Sequence, residues 1–389
     1  MADPFWSNPE IFTPTTIAAI AAGGGVLAMA LWLTILRRRK SRFHTRRTNR
    51  QTQIVNRFQT ASPLQNAADQ LADRQSLENR VAAVETLKEL ARKSPQNYWS
   101  VMEILTTHLR RYARAPTIAN SVKENDGARP KLAADFQAVI SVFLHRDTQH
   151  ESKEAVLDLR NTDLSQADLR GIFLRYADLQ GASLIGSALR NANLRDANLR
   201  AARLNGASLR GADLRGANFS EASLRDADLR YSDMRGVVLN NLTDLIHADL
   251  GDADLRGASL IDAVLCEAKL SRASLRGAIL EFADLRGAAL DEAYLRDANL
   301  GGADLRHARM NKADLRGAIL SDADFRRADL RNVKFDGAIL HGVNMSFANL
   351  RGADLRQADI KDTVFQGADL NGARLPEEQT EAAVAPSGD

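Results

Sequence analysis

The stretch that decides the fold is GASLRGADLRGANFSEASLRDADLR, residues 206–230. An apolar residue returns every fifth position, at Leu209, Leu214, Phe219, Leu224 and Leu229, and Ala stands two residues before each. Followed outward, the pattern starts at the centre Leu159 and runs to Leu239. One extra residue intervenes within NNLTDL, 240–245, and the pattern resumes from Leu245 to Leu375. It comprises 44 pentads; Leu is central in 36 of them and Ala precedes it by two in 34, so chance cannot be its origin.

A period of five suits neither regular element. On an α-helix five residues advance about 500°, so the leucines would smear around the cylinder. On a flat strand an odd period sends successive leucines to opposite faces. The period buries its apolar residues only if the chain turns once per pentad. The centre and the residue two before it then point inward, and the other three face out. Four such sides close a square coil of about 20 residues, with coils about 4.8 Å apart. Gly, Asn and Asp at the remaining places tolerate tight turns. Eleven coils would make a rod roughly 50 Å long.

Residues twenty apart share a side of such a coil. One side reads Arg175, Arg195, Arg215 and Arg235. If the extra residue near 240–244 bulges without costing a side, the column continues as Arg256, Arg276, Arg296 and Arg316. A neighbouring column holds Arg170, Arg190, Arg210 and Arg230. These guanidiniums either stack and pair with Asp one or two positions away, keeping the rod soluble, or form a strip for a polyanion or a partner protein. Residues 157–375 carry 30 Lys/Arg and 31 Asp/Glu, so the array is close to neutral.

Upstream, Ile11 to Leu36 carries no charge, and RRRKSRFHTRR follows at 37–47. A bilayer core needs about 20 apolar residues in a helix. The positive-inside rule holds a basic flank in the cytoplasm, so residues 17–36 are expected to be a single transmembrane helix. Residues 1–16 would be a short extracytoplasmic N-terminus, with the repeats cytoplasmic. The flanking basic residues Arg37, Arg38, Arg39, Lys40, Arg42, Arg46 and Arg47 would meet anionic lipid headgroups. Because the basic block follows the apolar run, a cleaved signal peptide fits poorly. Residues 37–61 read as a basic juxtamembrane linker.

Residues 62–154 read as an α-helical module capping the first coil, whose open edge would otherwise invite aggregation. Leu64, Ala67, Ala68 and Leu71 lead into Val81, Val84, Leu87 and Leu90. After Ser94–Pro95, a helix-starting pair, Tyr98, Val101, Met102, Leu105, Leu109 and Tyr112 share one helical face. Leu132, Phe136, Val139, Ile140 and Phe143 form a third stripe. The tail, 376–389, is short, polar and expected to be disordered.

The A-(D/N)-L-x-x array, 155–375, resembles the pentapeptide-repeat proteins. The stretches at 80–111 and 135–140 resemble a segment preceding such repeats in membrane-associated bacterial members. The resemblance implies a mainly β fold, a right-handed quadrilateral β-helix, here preceded by one transmembrane helix and a small α-helical module. Some members resemble duplex DNA through a strongly acidic surface and bind a topoisomerase. This near-neutral array lacks that acidic excess, so nucleic-acid binding is not expected and mimicry ranks last among the alternatives.

Chemistry is hard to find. The histidines, at 44, 108, 145, 150, 247, 307 and 341, are scattered, and each reads as a surface residue. Cys266 is the sole cysteine, so no intrachain disulfide forms, and it reads as an inert thiol. Gly23–Gly25 lies inside the apolar run without the GK[ST] of a phosphate loop. A filled Leu/Ala axis leaves no internal pocket. The expectation is a non-enzymatic, membrane-anchored scaffold or interaction rod, without catalytic residues, cofactor or metal. Its partners would be an unnamed protein and a second copy through the C-terminal coil. The alternatives are a binder of anionic lipid or polyanion through the arginine column, and a topoisomerase-binding DNA mimic.

Overall fold

The computed structural model describes residues 62–113, 133–144, 146 and 156–376. Four helices come first: α1 (Pro63–Leu71), α2 (Leu77–Lys93), α3 (Pro95–Tyr112) and α4 (Ala134–Leu144). Ser76 caps α2 by accepting the amide of Asn79, satisfying one of the donors a helix start leaves orphaned. Ser94 ends α2 and begins α3, with Pro95 in the first turn, where its missing N–H costs nothing.

Helix α2 packs on α3 and on α4. The shared core holds Ala83, Val84 and Leu87 of α2, Val101, Met102, Leu105 and Leu109 of α3, and Val139, Ile140 and Phe143 of α4. Val81 and Leu90, expected on the buried stripe, are only half-buried, and Ala83 and Ala91 lie deeper.

From Leu157 the chain repeats one local event. The amide of the residue before each bridge position donates to the central carbonyl three residues earlier, as in Ala197 to Leu194 and Ala212 to Leu209, both 3.0 Å. The second residue after the centre adopts positive φ, near 55–70°, at Gly216, Asp196 and Asn191 alike. That is the signature of a type II turn. It explains the Gly, Asn and Asp at this place, since these residues tolerate the left-handed region best.

Between turns, one residue per pentad makes an isolated parallel bridge to the residue twenty further on, as in Asp158 to Asp178 and Asn198 to Asn218. Four pentads therefore complete one coil. The Leu centres and preceding Ala residues are buried, nearly all at 0–1% exposure. Full burial of a Leu side chain contributes about 1.5–3 kcal/mol. Where Thr162, Ser187 or Ser232 replaces Ala, the hydroxyl donates to the carbonyl three residues before, at 2.7, 2.7 and 2.6 Å. The substitution thus leaves no unpaired polar group inside.

Two expectations need correction. A mainly β fold was expected, but the described residues contain no β-strand. Each side is ended by a left-handed turn residue before a second bridge residue can follow, so the ladder consists of single bridges. A single-pass membrane protein was also expected. Among the described residues no helix is long and apolar enough to cross a membrane. The longest, α3, has 18 residues and carries Glu103, Arg110 and Arg111. The segment 17–36 and the basic run 37–47 lie outside the described residues, as do 114–132, 147–155 and 377–389. The membrane anchor, its lipid contacts and the cytoplasmic topology are accordingly withdrawn.

The extra residue is absorbed locally. Asn241 and Leu242 both take positive φ, 58° and 60°, and Leu242 is 70% exposed. The buried Thr243 hydroxyl lies against the carbonyls of Phe219 (3.0 Å) and Asn240 (2.8 Å). Bridges across this point span twenty-one residues, as in Asp233 to Asp254, and then return to twenty. No side is lost. Another close fit occurs at Gly302, φ 65°, where the Phe282 ring would sit 2.7 Å from a Cβ.

The C-terminal end of α3 meets the first coil. Arg110 Nη1 donates to Asp158 at 2.9 Å, and the Asp163 amide donates to the Ala113 carbonyl at 2.7 Å. At the other end, Phe365, Leu370 and Leu375 are only half-buried.

Candidate functional site

The array builds its surface from the tripeptide Asp-Leu-Arg. Leu points inward, Asp occupies the outward bridge position, and Arg opens the turn. Asp213 shows the consequence. Its Oδ1 accepts the Arg215 backbone amide (3.3 Å) and Nε (2.8 Å), and its Oδ2 accepts Nη2 (2.6 Å). This is an Asx turn joined to a bidentate guanidinium–carboxylate pair.

The same clamp holds Arg235 on Asp233, Arg256 on Asp254 and Arg316 on Asp314, each with an Nη2 contact of 2.6 Å. Arg215 also lies 3.4 Å from Asp233 of the next coil, and Arg235 lies 3.7 Å from Asp254. Hydrogen bonding by Arg215 holds the Asp213 carboxyl below its ordinary range and raises its own guanidinium further. The guanidiniums stay 36–51% exposed while the carboxylates are more covered, down to 12% at Asp314; the more exposed pairs contribute little to stability.

Because the ladder pairs Asp233 with Asp254, Arg235 and Arg256 fall in one column. Arg175, Arg195, Arg215, Arg235, Arg256, Arg276, Arg296 and Arg316 thus share one side of the coils, but they are not equivalent. Phe173 replaces the clamping Asp before Arg175, which instead donates to the Tyr176 hydroxyl (2.6 Å) and lies over its ring. Asn193 precedes Arg195, whose Nε is 3.3 Å from Asp196. Ser274 precedes Arg276, which is 3.6 Å from Asp297. Tyr294 precedes Arg296, and among the described residues no carboxylate lies within 4 Å of that guanidinium.

Reading every histidine as a surface residue missed a buried cluster in the helical module. His108 and Asp135 are buried, and Nε2 lies 3.2 Å from Asp135 Oδ2. Arg80 Nε donates to the same oxygen at 2.7 Å. One carboxylate therefore ties α2, α3 and α4 together. Burial is the largest influence on His108 and lowers its pKa against the pull of Asp135. Burial raises Asp135, but the hydrogen bonds from Arg80 and His108 outweigh it and leave its pKa lowered. Asp135 Oδ1 has no hydrogen-bond partner.

Cys266 is half-buried beside Asp284 and Arg286. Burial, followed by Asp284, pushes its thiol up to about 11, which keeps it protonated and unreactive. Among the described residues no group of three or more His, Cys, Asp or Glu side chains could hold a metal ion.

A family model for pentapeptide repeats matches the chain in eight copies between residues 158 and 375. That range is more than half of the sequence, and the chain belongs to the pentapeptide-repeat family. Members of that family are non-catalytic.

Among solved structures, the chain is similar to HetL, a pentapeptide repeat protein involved in heterocyst differentiation regulation from the cyanobacterium Nostoc sp. strain PCC 7120. Identity is 35% over 56% of this chain and 92% of that one, with a TM-score of 0.32. It is similar to a pentapeptide repeat protein from the Arabidopsis thaliana thylakoid lumen, at 31% identity over 27% of this chain and 72% of that one, TM-score 0.22. It also resembles QnrB1, a plasmid-mediated fluoroquinolone resistance protein, at 22% identity over 53% and 90% of the two chains, TM-score 0.27. No curated protein matches the sequence. Nothing among the described residues supports the expected membrane-associated type, the protein partner or the homodimer through the C-terminal coil, and those expectations do not stand.

Proposed function

We propose that the chain works without catalysis, as a rod whose arginine column, Arg175 to Arg316, receives the oxyanions of a binding partner. The observation that carries this reading is the clamp geometry. Asp takes Nε and Nη2 of Arg215, Arg235, Arg256 and Arg316. The Nη1 donors take no part in those bonds. A guanidinium has five N–H donors, so each clamped arginine keeps a fixed edge for a second acceptor while its charge is largely balanced. Recognition would then rest on directed hydrogen bonds at about 4.8 Å intervals, more than on bulk charge.

The test uses heparin as a sulfated polyanion and the full chain. Replacing Arg215, Arg235 and Arg256, clamped members on consecutive coils, by Gln is expected to weaken heparin binding by about tenfold. Binding that the triple variant leaves unchanged rejects the column.

We also infer that the helical module caps the first coil. The Arg110–Asp158 pair and the Asp163-to-Ala113 hydrogen bond support this reading. Arg110→Ala with Asp158→Ala should raise amide exchange at Leu159 and Leu164. Unchanged exchange there removes the inference.

A further inference from the structure

The neighbouring arginine column carries a second feature, independent of the first. Arg170 and Arg230 are clamped by Asp168 and Asp228, with Nη2 contacts of 2.5 and 2.8 Å. Between them the pattern breaks. Ala188 stands where the clamp for Arg190 belongs, and Ser208 where the clamp for Arg210 belongs. Arg190 Nε donates to Ser208 Oγ at 3.1 Å, and Arg210 lies over the Tyr231 ring at 4.8 Å. Among the described residues no carboxylate comes within 4 Å of either guanidinium. Arg210 acts on the Asp228 carboxyl only as a minor influence after Arg230, which lowers it by hydrogen bonding.

The same two coils are hollowed. A groove of about 380 Å³ runs past Gly186, Ala188, Gly206 and Ser208; Asp168, Arg170 and Arg190 line it, and Arg210 stands one coil beyond Arg190, outside the lining. A Cβ at Gly206 would meet nothing within 4 Å. Two cations on adjacent coils without an acid partner, one of them on a groove, are an arrangement that a ligand with closely spaced negative charges relieves. The other weakly paired place, Arg276 and Arg296, differs. Arg276 keeps Asp297 at 3.6 Å, and the bulky Tyr294 fills the clamp position.

We propose that the edge of this groove binds a short condensed phosphate, with Arg190 taking phosphoryl oxygens from the groove lining and Arg210 from the coil beyond it. Spacing favours this class over an acidic peptide. The two arginines sit one coil apart, about 4.8 Å. Same-face carboxylates of an extended peptide stand about 6.6 Å apart and fall out of register with them. Planar guanidiniums also match phosphate oxygens in a bidentate manner.

Equilibrium dialysis of the full chain with inorganic triphosphate tests the site. Saturable binding is expected, weakened about tenfold by Arg190→Gln with Arg210→Gln. The decisive variant is Ala188→Asp with Ser208→Asp, which rebuilds the clamps already present on the flanking coils. It should fold like the parent and lose binding to a similar extent. Lys269→Gln with Lys312→Gln, exposed cations remote from the groove, should bind as the parent does, which separates this site from a general loss of positive charge. Absence of saturable binding by the parent, or parental affinity in the clamp-restored variant, overturns the proposal. Equal competition by hexaglutamate overturns the assignment to phosphate.

Discussion

The helical module and the repeat array handle charge in opposite ways. The module places one carboxylate, Asp135, at 2% exposure and asks it to satisfy both Arg80 and His108. The array keeps nearly all its carboxylates at the surface and gives 12 of its 31 an arginine two residues on, as in Asp213 with Arg215 and Asp254 with Arg256. A concentrated network is sensitive to one substitution, because removing a partner strands a buried charge. A distributed one is tolerant, because each exposed pair contributes little and the same pair recurs on the next coil.

The largest effect should therefore come from Asp135→Ala. It strands Arg80 and is expected to cost about 3–5 kcal/mol, read as faster amide exchange across α2, α3 and α4. Unaltered exchange would show that the cluster is not what joins these helices.

Acidification should sharpen the same contrast. His108 has a folded pKa below its ordinary 6.5. On acidification the unfolded chain takes up a proton that the folded one resists, so stability is full above 6.5 and falls as pH drops through that region. The clamping carboxyls, such as Asp213, lie below 3.8. Their contribution holds above that value and is lost only as pH falls through the lowered folded pKa. Amide exchange at pH 5.5 against pH 7.5 should thus loosen the module and spare the repeats. Simultaneous loosening of both would erase the distinction.

The smallest effect is expected for Asp254→Asn, at about 0–1 kcal/mol, measured as a near-constant melting temperature. A large drop would mean the clamps carry the rod's stability.

Much of the array was legible because its information is local. The inward Leu and Ala, and the left-handed place taken by Gly, Asn or Asp, follow from a period of five and from turn chemistry. The clamps were legible too. The Asp-Leu-Arg tripeptide marks them, and its absence at Ala188 and Ser208 marks the exceptions. The lack of strands was not legible from periodicity, which fixes which residues face inward but not how many consecutive residues pair. Positive φ at both Asn241 and Leu242 was hidden as well, since Leu resists that conformation and only the surrounding coils impose it. Arg80, His108 and Asp135 escaped notice because three helices bring them together and no spacing along the chain announces them.

The register that gathers the arginines into one column is best tested by disulfide cross-linking in a Cys266→Ala background. Neighbours on adjacent coils lie about 4.8 Å apart, within the range a disulfide spans. Asp233→Cys with Asp254→Cys is predicted to oxidise to an intrachain disulfide across the bulge, whereas Asp233→Cys with Ala253→Cys is not. Cross-linking of the second pair and not the first would contradict the account, because Arg235 and Arg256 would then stand on different columns.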